Sequence, residues 1–224
     1  MPGRGMAGFF KTRRRRASTV GAMSEKISDL LERAAARTVP VVRALDDEQL
    51  GLPTPCGAYD VRALAGHLYR VVITFQGLAA KEDADMGAGP LELTGDWRAG
   101  FAGEARALVA AGVRPGAEDG TAGAMGMPAR TAGVMVLGDL VVHGWDLARA
   151  TGRPYAYAQD DAVVEDVARQ FAELAPLARS MGAFGPEVEV PPGAPALDRL
   201  LGVTGRDPGW RAPARSGGRA RAGS

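Results

Sequence analysis

Four long stretches of this chain repeat their apolar residues at every third or fourth position, and that spacing restricts the fold more than any other feature. In residues 24–45, Ile27, Leu30, Leu31, Ala34 and Ala35 share one helical stripe; Ser24 is the expected cap, and Pro40 can bend or shorten the run. A second helix is predicted from Asp60, acting as cap, to about Ala80 through Val61, Leu64, Leu68, Val71 and Leu78. A third covers roughly Asp96 to Ala111, and a fourth runs from about Ala129 to Ala150, stopped by Gly152 and Pro154. A fifth, from Asp160 to about Met181, precedes an extended segment from Phe184 to Pro195 and a short helix over Ala196–Leu201.

The segments between them are punctuated. Gly51, Pro53, Pro55 and Gly57 make a loop, and residues 112–129 read as an irregular connection rich in Gly and Pro. Strand signals are few. The fold expected is all-α: an up-and-down four-helix bundle with an additional C-terminal helix and an irregular C-terminal wrap.

A length of 224 residues suits one domain. The single cysteine excludes an internal disulfide framework and any metal site built on two or four thiolates. No run approaches 18 apolar residues, so no membrane span is expected.

Charge is unevenly spread. Residues 1–22 carry Arg4, Lys11, Arg13, Arg14, Arg15 and Arg16 with no acid, while residues 206–224 carry five arginines and Asp207. The net charge of +1 therefore leaves residues 23–205 strongly acidic, which opposes nucleic-acid binding by the body of the protein. The polar stretch after Arg16 is unlike the apolar segment of an export signal. Residues 1–22 are read as a disordered basic extension, with Met23 the expected start, residues 23–208 as the bundle domain, and residues 209–224 as a disordered tail.

Only two histidines occur, His67 and His143, each inside a predicted bundle helix. His67 shares its stripe with Ala63, Leu64, Val71, Thr74 and Leu78, an inward face. His143 shares its own with Val136, Leu140, Leu147 and Ala150, and with Asp139 four residues earlier. A carboxylate on an apolar stripe is costly to bury unless it is paired or ligated. Two readings stay open on spacing alone. The three residues could form a facial set for Zn²⁺, Ni²⁺ or Fe²⁺ with positions left for water or substrate. Equally, they could be hydrogen-bonded core histidines, one of them in an intrahelical ion pair.

Two segments carry a resemblance. The run Pro53-Thr54-Pro55-Cys56-Gly57-Ala58-Tyr59-Asp60-Val61-Arg62-Ala63-Leu64-Ala65-Gly66-His67-Leu68 resembles the entry to the second helix of the mycothiol-dependent maleylpyruvate isomerase metal-binding domain, of the DinB-like superfamily. Asp139 to Gly152, with His143-Gly144-Trp145-Asp146 at its centre, resembles the fourth-helix motif of the same group. Phe184 to Glu187, Leu200 to Gly202 and Gly205 to Trp210 resemble the ending of an actinobacterial branch.

The resemblance implies a DinB-like bundle in which His67, Asp139 and His143 ligate a divalent metal. Here an Asp stands where the isomerase has Glu, which bears on affinity and metal identity. It further implies a cytoplasmic protein, with mycothiol or a similar low-molecular-weight thiol as cosubstrate and an electrophilic small molecule as substrate, acting as isomerase or S-transferase. No nucleic acid or membrane partner is expected, and a homodimer is compatible with this picture. The alternative is a non-catalytic metal-binding or small-molecule-sensing module with a vestigial site.

Other side chains have two readings each. Cys56, before a helix N-terminus, is a reactive thiol or part of a tight helix entry. Asp146 orients the His143 imidazole, or caps, or pairs with Arg149 or Arg70. Arg70 meets an anionic substrate or is solvated, and Trp145 packs against the C-terminal segment. No phosphate-loop, dinucleotide or hydrolase-elbow motif is present.

Overall fold

Each periodic stretch is a helix in the computed structural model, which describes residues 25–124, 126–158 and 161–213. The helices are α1 (Ile27–Arg43), α2 (Val61–Ala79), α3 (Trp97–Val113), α4 (Ala129–Ala150), α5 (Ala162–Ser180) and α6 (Ala196–Val203). Aspartates start three of them. Asp60 accepts from the Ala63 amide, Asp96 from Ala99 and Asp161 from Val163, each satisfying a donor that the first helical turn leaves unpaired. Asp161 is the N-cap of α5, one residue after the expected helix start at Asp160, which lies outside the described residues.

The start of α1 differs from the expectation. Ser24 lies outside the described residues, and the N-cap position is Lys26, with no side-chain cap. The Ile27 amide instead donates 2.8 Å to Glu118 Oε1, 91 residues away, so tertiary structure replaces the local cap. Pro40 does not end α1, which continues to Arg43. The connection before α4 also holds more order than predicted, a two-residue antiparallel ladder pairing β1 (Thr121–Ala122) with β2 (Met127–Pro128).

The four long helices α1 to α4 form the bundle, with α1 and α2 each packed on both α3 and α4. α1 and α2 therefore sit at opposite corners, as do α3 and α4, while α2 neighbours both α3 and α4. Phe101, Leu30, Leu64, Leu68, Leu137, Leu140 and Leu147 fill the centre, each essentially shut off from solvent. Burying such a side chain contributes roughly 1.5–3 kcal/mol, which makes these positions the main stabilising term.

Of the 22 residues of α4, 16 are buried. Its inner side meets the bundle, and its outer side is covered by α5 and the C-terminal segment. Gly138 makes the close approach of α5 possible, because a Cβ there would come 2.0 Å from the Phe171 ring. His143 and Asp146 fall in the buried stretch of α4, so both are committed to the interior. Beyond α5, the Gly185 amide bonds to Thr204 O and the Val188 amide to Gly202 O, zipping the extended segment onto the end of α6. Trp210 packs against the core, and Arg149 holds the carbonyls of Pro208 and Trp210. Among the described residues, no helix is long and apolar enough to cross a membrane. Residues 1–22 and 214–224, which include the expected basic extension and most of the tail, lie outside them.

Candidate metal centre

The adjacency of α2 and α4 brings the two histidines together. His67 projects from α2 and His143 from α4, with ring centroids 5.1 Å apart and planes nearly perpendicular. Asp139, one turn before His143, lies 3.6 Å from His143 Nε2 through Oδ1. One donor atom from each of His67, Asp139 and His143 falls within 4.8 Å of the others. Three residues that the sequence singles out, 76 positions apart at the extremes, thus share one small volume.

That volume suits a cation. Ligands bound at about 2.1 Å to a divalent transition ion stand roughly 3 Å apart, so a modest closure completes the set. Two imidazoles and a carboxylate are a donor combination for Zn²⁺, Ni²⁺ or Fe²⁺. The 3.6 Å separation of Asp139 and His143 is too long for a direct hydrogen bond, which leaves both atoms available. Neither ring nitrogen of His67 has a hydrogen-bond partner among the described residues. Burial, the neighbouring His143 and the Arg206 charge lower the His67 pKa to about 4, so its ring is neutral at pH 7 and offers a lone pair. Burial pushes the Asp139 carboxyl up, against the pull of His143 and Arg206.

Supporting contacts surround the donors. Tyr59 stacks on His67, with centroids 5.3 Å apart and planes 25° from parallel. Asp146, with no exposed surface, accepts from His143 Nδ1 at 3.0 Å through Oδ2. A carboxylate only accepts, so this bond puts an imidazole hydrogen on Nδ1, and in the neutral ring the lone pair is then on Nε2, toward Asp139. Arg206, from the segment after α6, reaches the same Oδ2 at 3.4 Å. Of the alternatives open for Asp146, orientation of the imidazole is the one the geometry realises, and its cationic neighbour is neither Arg149 nor Arg70. Arg70 instead donates to Gly89 O from a half-buried position.

Cys56 also comes close, grouping with His143 and Asp146 within 4.8 Å. That second group suits a metal poorly, because the Arg206 guanidinium already supplies positive charge beside Asp146 and acts on Cys56. Burial pushes the Cys56 thiol up, outweighing Arg206, so it rests as a thiol rather than a thiolate.

Tyr59 and Arg206 carry no site role in the sequence reading. Tyr59 lies in the loop before α2, where helical periodicity has no reach. Arg206 follows Gly205 in a stretch whose only signal was its likeness to a family ending.

A comparison with curated proteins and one with solved structures give no match. Residues 31–148 match the mycothiol maleylpyruvate isomerase N-terminal domain, a span holding α2, α3, most of α1 and α4, and all three candidate donors. That match covers more than half of the chain, and with the all-α bundle it joins two motifs that the sequence alone set apart; the chain belongs to the mycothiol maleylpyruvate isomerase N-terminal domain family.

Proposed function

We propose that His67, Asp139 and His143 hold one divalent transition-metal ion, and that the protein uses it with a low-molecular-weight thiol of the mycothiol kind. The reaction class is isomerisation of, or S-transfer to, an electrophilic small molecule. The observation that carries this reading is the gathering of the three donor atoms within 4.8 Å across α2 and α4, in a chain of this family.

A divalent ion in this position supplies Lewis acidity, which holds a thiol in its thiolate form at neutral pH. The chain's own residues prepare the place. Asp146 fixes the His143 ring with its lone pair inward, and Tyr59 braces the His67 ring from the side. Asp139 contributes the one negative charge of the set from a side chain 30% exposed, while His143 is 9% exposed. The Asp139 side is therefore the open one, where a thiol and its partner reach the donors. A thiol cosubstrate is kept reduced in the cytoplasm, which is where this reading places the protein.

A second reading, a metal-binding or sensing module without turnover, is favoured by one observation. The proton carriers beside the donors are few, and Cys56 is held as a thiol by its burial.

Metal analysis of tag-free protein tests the first claim. About one equivalent of metal in the wild type, lost in His67→Ala and His143→Ala, supports it. Metal-free wild type whose melting is unmoved by Zn²⁺ or Ni²⁺ overturns it. Metal-dependent consumption of thiol with an electrophile separates enzyme from module.

A further inference from the structure

The geometry points to Arg206 as a positioning residue of the centre: through Asp146 it fixes the orientation and tautomer of His143. Its consequence for metal rests on the reading of His67, Asp139 and His143 just given, whereas the tautomer belongs to the metal-free chain.

The arrangement begins in local backbone chemistry. α6 ends at Val203, with Thr204 as C-cap and Gly205 at φ +83°, a conformation that favours glycine. The Gly205 amide bonds to Gly202 O at 3.0 Å and the Arg206 amide to Leu201 O at 2.8 Å, the paired bonds of a Schellman ending. A Cβ on Gly205 would lie 2.7 Å from Gly185 Cα, so the turn is also clamped from outside. The backbone of Arg206 is thereby placed before its side chain makes any contact.

The guanidinium then divides its work. Nη1 donates to Thr204 O at 2.9 Å, and Nη2 faces Asp146 Oδ2 at 3.4 Å. Asp146 has no exposed surface, Arg206 has 8%, and Asp146 Oδ1 and Arg206 Nε have no partner among the described residues. Such a carboxylate in the interior requires a counter-charge, and Arg206 is the cation that faces it. Without that cation the Asp146 carboxylate loses its counter-charge and the contact that steadies Oδ2 against His143 Nδ1, and with it the fixed acceptor that directs the Nε2 lone pair toward Asp139.

Anchoring of the C-terminal segment does not need this side chain. Arg149 grips the carbonyls of Pro208 and Trp210, and the bonds from Gly185 and Val188 secure the end of α6. Arg206 also lies outside the 31–148 family match, so the centre draws on a part of the chain beyond it.

The test uses the full chain with ¹⁵N-labelled histidine rings, first without metal. Wild type is expected to show His143 protonated at Nδ1 and bare at Nε2. Arg206→Met is expected to show a tautomer mixture, and Arg206→Lys to recover much of the wild-type signal. Titration with Ni²⁺ or Zn²⁺ should then bind about 10–100-fold more weakly in Arg206→Met. In an Asp146→Asn background, Arg206→Met should change affinity by less than about twofold, because both act on one imidazole. Arg149→Met, which loosens the segment without touching Asp146, should keep the wild-type tautomer.

A wild-type tautomer in Arg206→Met, or losses that add in the double variant, overturns the assignment. So does a tautomer change in Arg149→Met equal to that in Arg206→Met. If wild type binds neither ion, the metal reading falls while the tautomer comparison still decides the role of Arg206. If Arg206→Met does not fold, Arg206→Gln and Arg206→Lys supply the same comparison.

Discussion

Two buried polar clusters flank α4, and they are built on opposite terms. On the side of α1, Thr38 Oγ1 donates to Leu140 O at 2.8 Å; Tyr155 OH sits 3.1 Å from Thr38 Oγ1 and 3.5 Å from Tyr157 OH. These groups are neutral and partner one another. On the side of α2, His67, Asp139, His143, Asp146 and Arg206 include charged groups, and the buried Asp146 Oδ1 and Arg206 Nε lack hydrogen-bond partners among the described residues. A cluster that only holds helices together can satisfy itself, as the hydroxyls do. Incomplete satisfaction around charged groups is costly, and it is the condition expected where a ligand supplies the missing contacts.

The largest expected effect sharpens this contrast. At a Zn²⁺ or Ni²⁺ concentration about 100 times the dissociation constant, binding should stabilise the wild type by about 2.7 kcal/mol, read as a rise in melting temperature. His67→Ala should abolish that rise and Tyr155→Phe should retain it. A rise that survives in His67→Ala would show that the donors lie elsewhere.

Next in size is Gly144→Ala. A Cβ there would meet Thr38 Oγ1 and Tyr155 OH at 2.6 Å each, so the hydroxyl cluster must give way. A loss of about 1–3 kcal/mol is expected from urea unfolding. No loss would mean that the hydroxyl cluster shifts to admit a methyl group without losing its bonds.

Tyr155→Phe should cost less, about 0.5–1.5 kcal/mol, because Thr38 still satisfies Leu140 O. Unchanged metal content in this variant, measured beside its melting, confirms that the clusters are independent; loss of metal would join them.

Near neutral pH neither His67 nor Tyr155 should titrate, the smallest effect of all, and the two clusters separate only at opposite ends of the scale. The His67 ring, lowered to about 4, binds its proton later in the folded chain than in the unfolded one. Its contribution to stability is therefore present above about pH 6.5 and lost as pH falls toward 4. Burial pushes Tyr155 up to about 12, against its bonds to Thr38 and Tyr157, so its contribution holds below pH 10 and is lost as pH rises through 12. Ring titrations by NMR in metal-free protein check both; a His67 midpoint near 6.5 would mean the ring is solvated.

Helices were legible because their cause is local. Periodic leucines mark the buried stripes, and Asp60 and Asp96 mark two starts to within a residue. Where the cause was distant, the reading stopped. The α1 amide that Glu118 caps and the pairing of α2 with α4 depend on contacts across the bundle. Asp139 and His143 could be placed on one face by their four-residue spacing, but bringing His67 to them needed the third dimension. Arg206 shows the limit most clearly, since its 60-residue separation from Asp146 obeys no period.

The bond from Arg206 to Asp146 has a bearing on how this fold is divided. A version cut at residue 148 would keep every donor and still leave a naked anion beneath one of them. Exchanging the C-terminal third of this chain, with the bundle untouched, would therefore alter the setting of one imidazole while keeping every candidate donor in place.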